Sequence, residues 1–137
     1  VSTTERKQRI EQMAERFGME DSLNRQMVSY SHGMRQKMMV IAALVHNPPV
    51  WILDEPMTGL DPNAAYELKK MMREHADAGN CVFFSTHVLE VAEKLCDKII
   101  MIRKGKDIYQ GTLDELETQH RNKSLEEIFV EMTHEEF

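Results

Sequence analysis

Two short apolar runs that stop abruptly at polar residues constrain the fold of this chain more than any other feature. Residues 50–53 (VWIL) end at Asp54-Glu55, and residues 81–84 (CVFF) end at residues 85–87 (STH). Unbroken apolar runs of this length are typical of strands buried on both faces of a parallel sheet. Residues 63–78 have a helical pattern, and a helix is the usual crossover between parallel strands. The sequence therefore predicts an α/β fold with a mainly parallel sheet.

The remaining periodicity adds helices on both sides of these runs and one hairpin. Two more short runs, separated by a Gly-containing turn, predict strands over residues 99–102 and 107–110 that pair as a hairpin. Helices are predicted over residues 4–17, 34–46, 63–78 and 88–96, and near residues 112–119 and 124–132.

Charge and hydropathy exclude several classes of partner. The 137 residues include 17 basic and 23 acidic side chains, with a net charge of −6, which argues against charge-driven binding to nucleic acid. The longest apolar run, residues 38–45, is far shorter than the roughly 18 residues that a membrane span requires. The two cysteines form no CxxC pair and indicate reduced thiols in a cytoplasmic protein.

The polar residues at the two strand ends predict a cluster suited to ligand binding and catalysis. The span from Asp54 to His87 suits one right-handed crossover, which needs about 30 residues or more, so both strand ends should share one sheet edge. Ligands of open parallel sheets bind outside that edge. Asp54 is a suitable ligand for Mg²⁺, and Glu55 is placed to orient or deprotonate a water. Alternatively, two acids simply end a strand on a polar surface.

A second cluster lies at residues 30–34 (YSHGM). Serine is a favoured N-cap, so Ser31 is expected to begin the helix that follows, and Gly33 would let another group approach the backbone closely. The N–H groups and dipole of such a helix end form an anion site. An ordinary capped helix is the alternative.

Four motifs in one order resemble the ATP-binding cassette (ABC) ATPases: YSHGMRQK, VWILDEP, TGLDP and FFSTH. Residues 30–34 are similar to the signature sequence of that family, residues 50–55 to its Walker B strand and residues 59–61 to its D-loop. His87 resembles the switch histidine. The resemblance implies a partial P-loop NTPase-type sheet with flanking helices, plus part of the helical signature subdomain. The corresponding domains are residues 1–47 (helical subdomain with the signature helix), 48–111 (ATPase core) and 112–137 (C-terminal helices).

The resemblance implies a role for each residue at the strand ends. Asp54 would help hold Mg²⁺, through a water, and Glu55 would polarise the water that attacks ATP. His87 would contact the γ-phosphate and sense its loss. The implied cofactors are therefore ATP and Mg²⁺.

The same resemblance implies a dimer and a membrane partner. Ser31, Gly33 and Met34 would contact the γ-phosphate of an ATP held mainly by a second cassette, in a homo- or heterodimer. Gly59 and Asp61 would lie at the contact between the two cassettes. ATP-driven closure would move transmembrane permease domains, so the subunit would be cytoplasmic and peripheral at the inner face of the membrane, without a span of its own.

The sequence departs from the family pattern in two ways. Tyr30, His32 and Met34 replace the first, third and fifth residues of the usual Leu-Ser-Gly-Gly-Gln, and this variant is similar to those of bacterial exporter cassettes. The phosphate-cradling motif G-x-x-x-x-G-K-[ST] is absent from the printed residues. We therefore expect the C-terminal part of an ABC transporter ATPase, inactive as this chain alone. A non-enzymatic split or degenerate cassette half and a non-transport ABC ATPase are the alternatives.

Overall fold

The computed structural model describes residues 2–121 and 123–134. The chain divides into two compact units, Val1–Ser85 and Thr86–Phe137. The elements of the first unit are α1 (Thr3–Arg16), α2 (His32–Leu44), β1 (Val50–Asp54), α3 (Pro62–Asp77) and β2 (Cys81–Ser85). Those of the second are α4 (Leu89–Leu95), β3 (Lys98–Arg103), β4 (Lys106–Thr112), α5 (Leu113–Gln119) and α6 (Leu125–His134). Single 3₁₀ turns at Glu20–Ser22 and Met27–Ser29 lie between α1 and α2.

A parallel strand pair and its crossover helix form the centre of the first unit. β1 and β2 pair residue by residue, from Val50 opposite Cys81 to Asp54 opposite Ser85. α3 connects them, packs against β2 and buries Leu68 completely. The α/β prediction is confirmed, although the parallel part within the described residues is one pair of strands.

The expectation that both faces of these strands are buried is wrong. Trp51 is 2% exposed, whereas Ile52 is 71% exposed and Phe83 57% exposed. Side chains alternate between the two faces of a strand, and the described residues cover only one face of this pair. The apolar run correctly predicted strands, but it did not determine what covers their second face.

Two contacts fix the helices of the first unit. The Arg16 guanidinium, near the end of α1, binds the carboxylates of Glu67 (3.0 Å) and Glu74 (2.7 Å) on α3. These ion pairs are partly exposed, so they contribute about 0–1 kcal/mol each and mainly set the orientation of α1 on α3. Elsewhere on α3, His75 is buried, and its Nε2 lies 2.8 Å from the Pro48 carbonyl oxygen.

The second unit has its own core. β3 and β4 form the predicted antiparallel hairpin, with a register shift between Met101 and Ile102. Met101 points into a cluster formed with α4, α5 and α6, in which Leu116 and Ile128 are fully buried. The helices predicted near residues 112–119 and 124–132 are confirmed.

None of the helices in the described part of the chain combines the length and the apolar character that a membrane crossing demands. The three-part division at residues 47 and 111 stays a prediction.

Candidate functional site

The carboxyl end of β1 holds an arranged pair of acidic residues. Asp54 is the last residue of β1 and lies opposite Ser85, the last residue of β2. The Ser85 hydroxyl donates a hydrogen bond to Asp54 Oδ1 at 2.5 Å and accepts one from the Glu55 N–H at 3.0 Å. One side chain of β2 therefore orients the Asp54 carboxylate and the backbone of Glu55 together.

The backbone at Glu55 has an uncommon conformation. Its φ is +45°, in the left-handed region, which costs a residue with a side chain roughly 1–2 kcal/mol. Such strain persists where the surroundings impose it and is concentrated at functional sites. Here the hydrogen bond from the Glu55 N–H to Ser85 helps to hold the turn, and it sets the direction in which the half-buried Glu55 side chain leaves the strand end.

The second predicted cluster begins α2. Ser31 is the N-cap, and its hydroxyl oxygen accepts a hydrogen bond from the Met34 N–H at 3.2 Å, so the predicted cap is confirmed. The hydroxyl hydrogen is still free to donate outwards, because a serine hydroxyl has one donor in addition to its acceptor sites. Tyr30 fixes the entry into the helix: it is 4% exposed, and its hydroxyl donates to the Ser22 carbonyl oxygen at 2.6 Å.

The first turn of α2 lies directly against the loop that follows β1. A Cβ built on Gly33 would lie 3.0 Å from the Gly59 carbonyl oxygen, so Gly33 does permit the predicted close approach. Gly59 has φ +78°, and a Cβ there would collide with the imidazole of His32, with Nε2 at 2.7 Å. A side chain at Gly33 would press on the backbone of residue 59, whereas one at Gly59 would have to displace the exposed His32 ring.

Asp61 ends this loop and begins α3. Its Oδ1 accepts the Ala64 N–H at 3.0 Å, and its Oδ2 lies 3.1 Å from Lys37 Nζ on α2. The Ala64 hydrogen bond, assisted by the Lys37 ammonium, holds the pKa of the Asp61 carboxyl below its usual value of 3.8. Asp61 is therefore ionised at neutral pH and paired with α2.

His87 lies two residues beyond β2, in the second unit, and its side chain is exposed. The Thr86 side-chain oxygen accepts a hydrogen bond from the Val88 N–H at 3.0 Å, which shapes the turn around His87. The predicted role of His87 at the γ-phosphate stays a prediction.

The structure thus brings the first-unit site residues into two groups connected by the loop of residues 55–61. Sequence reasoning placed Ser85 at the shared sheet edge without giving it a role, and it missed two side chains of α2, Gln36 and Lys37. Gln36 Nε2 donates to the Pro56 carbonyl oxygen at 3.3 Å. Gln36 and Lys37 lie three and four positions after Gly33, on the same helix face, which was the available signal.

A groove of about 950 Å³ lies elsewhere in the first unit, along α1, and its lining includes Arg6, Ile10 and Leu23. None of the predicted site residues lines it. Among residues 2–121 and 123–134, no three His, Cys, Asp or Glu side chains are grouped so that they could hold a metal ion.

Comparison with known proteins gives one consistent result. A family model described as "ABC transporter" matches residues 1–58. The ABC transporter ATP-binding protein NatA of Bacillus subtilis (strain 168) is 39% identical over 124 residues, which are 90% of this chain and 50% of NatA. The ABC-type transporter ATP-binding protein EcsA of the same organism is 36% identical over 130 residues, 93% of this chain and 53% of EcsA.

The fold agrees with these sequence matches. A solved structure described as the ATP binding subunit of an ABC transporter has a TM-score of 0.89 and 35% identity, over 97% of this chain and 56% of that one. The chain therefore spans about half the length of the curated relatives it matches.

Proposed function

We propose, because the chain belongs to the family of ABC transporter ATP-binding subunits, that it is the C-terminal part of the ATP-hydrolysing subunit of a bacterial exporter. The observation that carries the proposal is the strand end at which Ser85 orients both Asp54 and Glu55. The export direction is supported by the signature variant Tyr-Ser-His-Gly-Met at residues 30–34.

The residues of the strand end fit the cofactors that the family implies. Mg²⁺ usually takes one or two protein carboxylates and fills its other positions with water and phosphate oxygens. The exposed Asp54 carboxylate, with one oxygen held by Ser85, would hold Mg²⁺ through a water that is bound to the metal. Magnesium-bound ATP supplies the phosphoryl group that is transferred to water. Glu55 would orient the attacking water and accept its proton, and His87 would contact the γ-phosphate.

The N-terminus of α2 would bind the γ-phosphate of an ATP held mainly by a second cassette. The Ser31 hydroxyl hydrogen and the Gly33 N–H lie in the first turn, where the helix dipole favours an anion. Met34 would also face this anion, although its own N–H donates to the Ser31 hydroxyl oxygen. Gly59 and Asp61 would lie at the contact between two cassettes, in a homo- or heterodimer. Opening and closing of this dimer would drive permease domains. The subunit would be cytoplasmic and peripheral at the inner face of the membrane.

The experiment that tests this function is amide replacement of Glu55 in the cassette that contains these residues. Glu55→Gln keeps the shape of the side chain but removes the base, so we expect ATP turnover to fall by roughly 10²–10⁴ while ATP is still bound. Glu90→Gln, an equivalent change at an exposed ion pair of α4, is the matched control and should leave turnover unchanged.

Two outcomes would contradict the proposal. Turnover of Glu55→Gln within twofold of the unsubstituted cassette would remove Glu55 from the role of base. Turnover by the isolated 137-residue chain above that of its own Glu55→Gln variant would show that these residues are active alone, which we do not expect.

A further inference from the structure

Lys37 lies where three segments of the first unit meet. It is on α2, and its side chain is only 15% exposed. Its ammonium donates to the Phe17 carbonyl oxygen at the C-cap of α1 (3.3 Å) and pairs with Asp61 Oδ2 at the N-cap of α3 (3.1 Å). Both partners are electrostatically suited to a cation, because a helix C-terminus has a partial negative charge and Asp61 has a full one.

Lys37 is the end of a continuous row of contacts. Gly33, Gln36 and Lys37 share one face of α2, and each meets the loop after β1. Gly33 lies against the Gly59 carbonyl, Gln36 binds the Pro56 carbonyl, and Lys37 binds Asp61. The first turn of α2 therefore cannot move relative to residues 56–61 without breaking the ion pair or the hydrogen bond, or losing the backbone contact.

We propose that Lys37 is a positioning residue that couples the phosphate-binding end of α2 to the loop of residues 56–61 in the same chain. This inference rests on the proposed function, in which Ser31 and Gly33 contact the ATP of the partner cassette and Asp61 lies at the dimer contact. Through Phe17, Lys37 transmits the position of that loop to α1 as well. Without the Lys37 ammonium, α2 loses its ion pair with Asp61 and its hydrogen bond to the Phe17 carbonyl oxygen. The groups proposed to contact ATP are unchanged.

The row of contacts also explains why the N-cap of α3 is a charged residue, Asp61. The N-cap of α3 needs only a side-chain oxygen, and asparagine supplies one as well as aspartate does. The negative charge of Asp61 is therefore not required for the cap. It is used by Lys37, whose three ammonium donors reach a carboxylate and a carbonyl of two different helices at once.

The test compares four variants of the cassette that contains this chain: Lys37→Met, Lys37→Arg, Asp61→Asn and the Lys37→Met/Asp61→Asn double variant. Lys37→Met keeps most of the aliphatic stem, Lys37→Arg keeps the charge, and Asp61→Asn keeps the cap. We expect Lys37→Met and Asp61→Asn each to lower kcat about tenfold with KM for ATP unchanged, and the double variant to be no slower than either single variant. Lys37→Arg should stay within about twofold of the unsubstituted cassette, because the ion pair is retained.

Glu74→Gln is the matched control. It weakens the Arg16 ion pair between α1 and α3 without touching residues 56–61, so kcat should not change. An equal loss of kcat in Glu74→Gln would show that general weakening of the helix packing, rather than coupling through Lys37, limits turnover. A Lys37→Met variant with normal kcat, or effects that multiply in the double variant, would also overturn the proposal.

The outcome is separable from that of the proposed function. If Glu55→Gln retains turnover in the same assay, the proposed function fails. If Glu55→Gln is inactive and Lys37→Met is normal, only the coupling proposal fails.

Discussion

Two helices of the first unit begin beside each other, and their N-caps differ in charge. α2 begins at Ser31, whose neutral hydroxyl accepts one backbone N–H. α3 begins at Asp61, whose carboxylate accepts the Ala64 N–H with one oxygen and binds Lys37 with the other. Both residue types are good caps, and the charged one also interacts favourably with the dipole of its helix.

Because of this difference, the N-terminus of α2 can attract an external anion, whereas the N-terminus of α3 repels one. The Asp61 carboxylate compensates the partial positive charge at the start of α3, so a phosphate there would meet a like charge. Ser31 adds no charge, and the dipole of α2 remains available to an external anion. This contrast supports placing the γ-phosphate of the partner's ATP at Ser31 and Gly33, and a dimer contact at Asp61.

The largest expected effect comes from making the first cap resemble the second. Ser31→Asp still provides a cap oxygen, so the melting temperature should change little. Its carboxylate would occupy the proposed phosphate position and repel the phosphate. We therefore expect turnover of the cassette to fall at least about 10²-fold, comparable to the loss of one preorganised anion donor. ATP turnover and thermal unfolding of the same preparation measure the two quantities.

Ser31→Thr is the control for this substitution, because it changes the volume of the cap without adding charge. It should retain turnover within about tenfold, since its hydroxyl can still donate to the phosphate. Undiminished turnover in Ser31→Asp would show that no phosphate binds at the start of α2.

The sequence predicted the elements of this site better than the contacts between them. The caps and strand ends were visible because they are local: a serine before a helical apolar run, or acids after a short apolar run, is a signal within a few residues. The bond from Ser85 to Asp54 depends on the register of β2 against β1, and the Lys37–Asp61 pair depends on how α2 packs on a loop. Such pairings join residues far apart in sequence and leave no periodic signal.

The exposed face of β1 and β2 was mispredicted for a related reason. An apolar run records the tendency of a strand to be buried, but burial also requires a layer that covers it. The described residues cover the side of Trp51 and leave Ile52 exposed. The burial of a strand face is therefore a property of the whole assembly of layers and cannot be derived from the strand alone.

A smaller effect tests whether the two helix starts are held side by side. Gly59→Ala places a Cβ at φ +78° and against the His32 ring, whereas Gly79→Ala places one at φ +91° with no atom within 4 Å. Both substitutions have a cost of about 1–2 kcal/mol for the left-handed conformation. Only Gly59→Ala must also displace the exposed His32 ring from its rotamer, so it should lower the free energy of unfolding by about 0.5–1 kcal/mol more.

Chemical denaturation of the two alanine variants, with and without His32→Ala, measures this excess. In the His32→Ala background the collision is removed, and the two alanine substitutions should have the same cost. An equal cost already in the presence of His32 would show that the start of α2 does not press against residue 59.

The smallest effect is the acid sensitivity that only one of the two caps can have. The folded-state pKa of Asp61 is lowered below 3.8 by the Ala64 hydrogen bond and by Lys37. A depressed carboxyl pKa stabilises the fold above the unfolded-state pKa, and this contribution is lost as the pH falls through the folded-state value. Asp61→Asn should therefore lower the melting temperature by a few degrees at most at pH 7, and this difference should shrink as the pH falls through the folded-state pKa of Asp61. Ser31→Ala serves as the reference: serine does not titrate, so the difference that it causes should not depend on pH in this way.

Thermal unfolding from pH 2.5 to 7 for the three proteins measures both differences. A constant Asp61→Asn difference across that range would mean that the charge of Asp61, and with it the ion pair to Lys37, does not stabilise the fold.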